Sequence, residues 1–227
     1  MPVERPWIVL VDFDGTLTTR DADFEVADLL LPPERAGAYL PAAGRYERLE
    51  LTTRDYYQEW LRVLGCGIAQ ITAAARRVPL RDDARQLLTL GLPLRVVSEG
   101  LDAYVLPALQ AGGLGELPVS CNRLDEGPHG LEVHPAAGAV PCPRCLNCKG
   151  AHVRRERAHG RRVAIVGDGA SDLCAAREAD LVFARGSLAE HCVREGIPHR
   201  RWSSLAEVRT ALSSLVAPTF PSPLAAS

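Results

Sequence analysis

Two pairs of aspartates carry the most chemistry in this sequence. Asp12 and Asp14 stand two residues apart in Val11-Asp12-Phe13-Asp14-Gly15-Thr16. On an extended strand that spacing sends both carboxylates out on one face, and Gly15 lets the chain turn sharply behind them. Asp168 and Asp172 form the second pair, in Gly167-Asp168-Gly169-Ala170-Ser171-Asp172. Carboxylates gathered in one place repel one another unless a cation neutralises them, and oxygen donors suit Mg²⁺. Each pair alone has a plainer account. Asp-x-Asp-Gly also fits a polar strand end with a turn, and Asp172 also fits an acid complementing a helix dipole.

Two further groups could handle an anion. Ser98, in Val96-Val97-Ser98-Glu99-Gly100, offers a hydroxyl where a strand should give way to a helix. A hydroxyl with free backbone N–H groups at a helix start makes a phosphate seat, although Ser-x-Gly alone equally fits a helix cap. Lys149 is the only lysine; the other 25 of the 26 basic residues are arginine. An ammonium is a compact point charge, whereas a guanidinium is planar and favours a two-pronged grip. Either the lysine survives by chance, or shape as well as charge matters at 149.

These groups need elements that deliver them to one place. Residues 7–11 form a short continuous apolar run ending in acid, the pattern of a strand buried on both faces. Runs of the same kind occur at 95–98, 117–122, 162–168 and 180–184. Helical patterning falls at 80–90, 101–111, 149–159, 172–179 and 188–195. Alternation of this kind predicts a parallel sheet with helices on both faces. Ligands in such sheets bind beyond the carboxyl ends of the strands, where Asp12, Ser98 and Asp168 fall. Only helical patterning appears from 21 to 78, enough for three or four helices inserted after the first strand. Thr52 or Thr53 can cap the third and Gly65 can end it. Residues 123–148 are irregular, with a small hairpin expected at 123–134, and 215–227 read as a disordered tail.

In chain order, DxDGT (12–16), a strand-end serine (Ser98), a lysine (Lys149) and GDxxxD (167–172) resemble the haloacid dehalogenase superfamily of phosphohydrolases. The resemblance spans nearly the whole chain. The helical insert sits where the phosphoserine phosphatase-like branch carries its cap. The fold this implies is α/β: a doubly wound, mostly parallel Rossmann-like sheet built from 1–19 and 79–214, with a small helical cap over 20–78. The implied activity is phosphomonoester hydrolysis. Asp12 would attack phosphorus and form an aspartyl-phosphate. Asp14 would protonate the leaving alcohol and then deprotonate the incoming water. Mg²⁺ would be held by Asp12, the Asp14 backbone carbonyl and Asp168, with Asp172 in support. Ser98, Glu99, Gly100 and Lys149 would bind the phosphoryl group.

Several strings are similar to the methionine-salvage phosphatases, which act on 2-hydroxy-3-keto-5-methylthiopentenyl-1-phosphate. They are VVSEGLDAYVLPAL (96–109), SCN (120–122), the cysteine segment before Lys149, and ADLVFARG (179–186). Phosphocholine/phosphoethanolamine phosphatases share much of this pattern, and phosphoserine is a further candidate substrate. Glu99 departs from the small residue of the salvage group. Phosphonatases of the superfamily use a cap lysine, which this insert lacks. A non-catalytic binder of phosphorylated ligands is the remoter alternative. Asp21 and Asp23 could read a substrate ammonium or cap the helix near Phe24. Arg48, with Arg45 and Arg54, could read an anion or line a solvated face.

Cys142, Cys145 and Cys148 could ligate zinc, with Cys121, His129 or His134 as a fourth partner, or form a thiol-rich loop. The seven cysteines come with no secretory leader, which favours thiols or a metal over disulfides and a cytoplasmic place. A net charge of −2 does not point to nucleic acid or an anionic membrane, and no apolar run reaches membrane-spanning length. The expected partner is a small phosphorylated metabolite; a monomer and a homodimer fit equally.

Overall fold

The structure, a computed structural model, describes residues 5–215. The first strand, β1 (Trp7–Val11), is buried at every position, which explains why its sequence is a run rather than an alternation. Trp7, Val9 and Val11 enter one hydrophobic core, while Ile8 and Leu10 enter a second on the opposite face. β1 is central. It pairs in parallel with β2 (Leu94–Leu101) on one side and β5 (Arg162–Gly167) on the other.

Outward from β2 lie β3 (Val119–Gly127) and β4 (Gly130–His134). Outward from β5 lie β6 (Leu181–Ala184) and β7 (Arg200–Arg201). The order is β4-β3-β2-β1-β5-β6-β7. Only β4 runs antiparallel, as the second arm of the expected hairpin. Helices α5 (Asp102–Ala111) and α9 (Leu205–Ser213) fill the first core. Helices α6 (Lys149–Ala158), α7 (Leu173–Ala176) and α8 (Gly186–Glu195) cover the second face. This is the doubly wound, mostly parallel α/β sheet that the sequence predicts.

Between β1 and β2 the chain forms α1 (Ala22–Leu30), α2 (Leu40–Glu47), α3 (Thr53–Leu64) and α4 (Ile68–Ala75). The Thr52 hydroxyl caps α3 by accepting from Asp55 N at 3.1 Å, and Gly65 ends it in the left-handed region at φ 61°. The two connections to the sheet are clasped together. Thr18 and Leu80 make an isolated antiparallel bridge. The Arg81 guanidinium donates to the carbonyls of Thr16 and Gly15 at 3.0 and 3.1 Å.

Four expectations need correction. Residues 80–90 hold only a 3-10 segment, Ala84–Thr89; Asp83 turns away to accept from Ala206 N at 3.1 Å at the start of α9. β2 does not stop at Ser98 but continues to Leu101, with a register shift against β3 between Val97 and Leu101. Gly100 therefore lies in a distorted strand end rather than opening a helix. The helix expected over 172–179 is a 3-10 turn, Ala170–Asp172, followed by the four-residue α7. β7 and α9 were not anticipated. The tail expected over 215–227 lies, apart from Leu215, outside the described residues.

Candidate active site

The parallel register of β2, β1 and β5 brings their carboxyl ends side by side, so Ser98, Asp12 and Asp168 become neighbours. The path from β4 through α6 to β5 crosses from one side of β1 to the other, and a crevice forms at such a switch point. Lys149, at the start of α6, reaches into it. Its Nζ lies 2.5 Å from Asp12 Oδ1 and 2.7 Å from Asp172 Oδ1, and donates to Ser171 Oγ at 3.0 Å. Lys149 is 3% exposed. The other Asp172 oxygen accepts from the N–H groups of Asp168 and Gly169 at 3.1 and 3.2 Å. Thr16 Oγ1 donates to Asp168 Oδ1 at 2.7 Å.

Asp14 points the other way. Its Oδ1 accepts from Ala22 N at 2.9 Å, at the start of α1. Its Oδ2 accepts from Ser98 Oγ and Tyr104 OH, both at 3.3 Å. Gly15 shows why nothing larger fits between the two aspartate pairs. It sits at φ 66°, and a Cβ there would collide with the Asp168 carboxylate and lie 2.9 Å from Asp21 Oδ1.

Burial pushes Asp12 well above the usual carboxylate range; Asp172, Asp168 and Asp14 add to this while Lys149 opposes it. Burial, then Asp23, pushes Asp14 up to about 7. Burial, then Asp172, pushes Asp168 to about 6. Burial with Asp14 takes Asp21 to about 8, and burial with Asp21 takes Asp23 to about 7. Burial alone would lower Lys149, but Asp12 and Asp172 outweigh it and hold the ammonium charged. Of these five carboxyls, Asp12, Asp14 and Asp168 are opposed in this rise by the Lys149 ammonium. Asp12, Asp168 and Asp172 each offer an oxygen within 4.8 Å of the others. An all-oxygen set with surplus negative charge fits Mg²⁺. Asp14 adds no side-chain oxygen to that set.

Residues 9–177 match the haloacid dehalogenase-like hydrolases. The chain belongs to this family. Over 217 residues it is 28% identical to the bifunctional enzyme MtnB/MtnX of Bacillus licheniformis, a match covering 92% of this chain and 49% of that protein. The chain spans about half the length of that relative. Over 219 residues it is 26% identical to a 2-hydroxy-3-keto-5-methylthiopentenyl-1-phosphate phosphatase of Bacillus cereus, covering 92% of this chain and 96% of the relative. A solved structure of a phospho-aspartyl intermediate analogue of phosphoserine phosphatase shares the fold at a TM-score of 0.66. It is 20% identical and covers 92% of this chain and 99% of that one.

In this family member a cavity of about 190 Å³ opens above the acids. The insert supplies its far wall: Asp21, Asp23, Phe24, Tyr46, Glu47, Tyr56 and Tyr57. Tyr56 donates its hydroxyl to Asp23, and Tyr57 is 2.6 Å from Tyr104, which reaches Asp14. Glu47 accepts from Ser187 Oγ at 2.6 Å, tying the insert to α8. No sequence signal marked Glu47, the tyrosines or Ser187, because their meeting depends on how the insert folds over the sheet.

Seven expected site residues have other positions or partners. Arg48 is exposed and grips Glu50, Arg45 pairs with Glu59, and Arg54 donates to Val133 O at 2.8 Å. None of the three lines the cavity. Glu99 borders it, but its carboxylate accepts from the N–H groups of Leu146 and Asn147, both at 3.1 Å. As an acceptor it cannot donate to phosphate; it fixes the loop leading to Lys149. Asn147, buried in that loop, donates to the carbonyls of Ser98 and Ser120, both at 2.9 Å. Cys142, Cys145 and Cys148 do gather, with sulfurs within 4.8 Å of one another. The suggested fourth partners are elsewhere: His134 faces Asp125 and Glu132, His129 is exposed at the hairpin tip, and Cys121 lies near Asp102 and Asp14, burial raising its thiol to about 12. Among the described residues, no helix is long and apolar enough to cross a membrane.

Proposed function

We propose that this hydrolase is a Mg²⁺-dependent phosphomonoesterase that works through an aspartyl-phosphate on Asp12. The observation that carries the reading is the Lys149 ammonium between Asp12 and Asp172 at the switch-point crevice. Lys149 and the Phe13 N–H both engage Asp12 Oδ1, leaving Oδ2 to attack phosphorus. As the P–O bond to the substrate breaks, Asp14 gives its proton to the departing oxygen. Asp14 then takes a proton from water, whose oxygen displaces Asp12 from phosphorus and releases phosphate. A carboxyl at about 7 suits both halves of that exchange near neutral pH. Ser98 and Lys149 bind the phosphoryl oxygens. Asp12, Asp168 and the Asp14 carbonyl, with Asp172 in support, would hold Mg²⁺, which when bound neutralises charge around the phosphoryl group. The solved phosphoserine phosphatase analogue with a phospho-aspartyl group supports this reading through its shared fold.

Residues 20–78 are read as the cap and 1–19 with 79–214 as the core, with the enzyme acting on small metabolites in the cytoplasm. The enol phosphate of methionine salvage is the leading substrate, supported by the near full-length relative. A second reading has its own support. The insert's wall combines Asp21, Asp23 and Glu47 with Tyr46, Tyr56 and Tyr57, and offers no Arg or Lys. Acids beside aromatic rings suit an ammonium group, as in phosphocholine or phosphoethanolamine. The same wall disfavours phosphoserine, whose carboxylate would meet no cation there. A phosphate-release screen over these four substrates separates the readings. Metal-free protein should be inactive and Mg²⁺ should restore turnover. Asp12→Asn should abolish hydrolysis of an aryl phosphate while the fold persists, and retained turnover would sink the mechanism.

A further inference from the structure

We propose that Cys142, Cys145, Cys148 and Cys174 bind one Zn²⁺ as a four-thiolate structural site. The first three sulfurs lie within 4.8 Å of one another. Cys174 lies beside them, its thiol interacting with those of Cys145 and Cys148. All seven cysteines are free thiols. Zinc–sulfur bonds of about 2.3 Å place tetrahedral sulfurs about 3.8 Å apart, so modest side-chain movement closes this cluster on an ion. Cys174 is not among the three thiols that lie within 4.8 Å of one another, so ligation chiefly draws it toward them.

The backbone places Cys174 there independently of its thiol. A Cβ on Gly150 would meet the Cys174 carbonyl oxygen at 2.7 Å and its Cβ at 3.2 Å. The start of α7 therefore rests directly on the first turn of α6, two residues beyond Cys148. Soft thiolates select zinc over the hard cations that suit the aspartates. Four thiolates on Zn²⁺ leave a net negative charge, and two guanidiniums are near enough to offset it: Arg154 lies near Cys148 and Arg177 near Cys174. Cys148 immediately precedes Lys149, and Cys174 follows Asp172 by two residues. The ion would thus fasten together the two segments whose side chains form the Lys149–Asp172 ion pair.

The test is zinc content and thiol protection in full-length protein purified reduced, with Mg²⁺ present to occupy the carboxylates. One zinc per chain is expected, with four thiols unreactive toward a thiol reagent until zinc is stripped. Cys174→Ser should lose most of the bound zinc, while Cys66→Ser, away from the cluster, should retain it. Cobalt loaded into metal-stripped wild-type protein gives a reading that does not depend on a variant folding. Intense thiolate-to-cobalt charge transfer with tetrahedral bands is expected. Protein that neither contains zinc nor takes up added zinc when reduced and metal-free would overturn the proposal. So would a Cys142–Cys145 disulfide in place of metal, weak cobalt bands typical of oxygen ligands, or undiminished zinc in a folded Cys174→Ser variant.

Discussion

Lys149 holds its two carboxylate partners at 2.5 and 2.7 Å inside a nearly closed site. Replacing it by arginine keeps the charge and changes the shape. The planar guanidinium would have to push Asp12 and Asp172 apart, so Lys149→Arg should lower kcat on an aryl phosphate by at least about tenfold. Rates near wild type would mean that charge alone matters there. Gly15→Ala should be equally damaging, because its Cβ meets the Asp168 carboxylate and its φ is left-handed; a variant with normal kcat would contradict this. The aspartates were legible because strand period and motif spacing alone place them. Glu99 was not. Beside Ser98 it reads as part of a phosphate loop, yet its partners are backbone N–H groups 47 and 48 residues away. Cys174 was missed for a similar reason, since only the packing of α7 on α6 brings it to the other thiols.

At the level of elements, the loop before α6 is fixed to β2 by Glu99 and Asn147. Glu99→Gln keeps the shape but turns one acceptor into an NH₂ that faces a backbone N–H. Unfolding free energy should fall by about 1–3 kcal/mol in a urea titration, and kcat should fall with it as Lys149 loses its anchor. An unchanged denaturation midpoint would show that the loop is held by something else. Elements buried on both faces were the easiest to read. β1 and β5 announce themselves as apolar runs because no solvent-facing residue interrupts them. β7 has only two residues, both exposed arginines, and carries no such signature. The 80–90 segment looked helical from its leucines, but Asp83 is drawn off to start α9.

Across the whole molecule, the buried acids set how stability responds to pH. Asp168, Asp14, Asp23 and Asp21 are raised to about 6, 7, 7 and 8. Each keeps its proton in the folded chain at a pH where the unfolded chain has released it. Their contribution is therefore fully present below the ordinary carboxylate range and is lost as pH rises through these values. Metal-free protein should have a lower Tm at about pH 8 than at about pH 6.5, and Mg²⁺ should raise Tm more at the higher pH, since the ion binds ionised carboxylates. Equal Mg²⁺ shifts at both values would contradict this. The single lysine has one more consequence. A protease that cuts only after lysine has one bond to attack in these 227 residues, Lys149–Gly150. That bond lies buried in the first turn of α6, so cleavage waits until the site comes apart. With enough protease that cleavage outpaces reclosing, the rate at which residues 1–149 and 150–227 appear as fragments would count those openings, with no label and no added reporter.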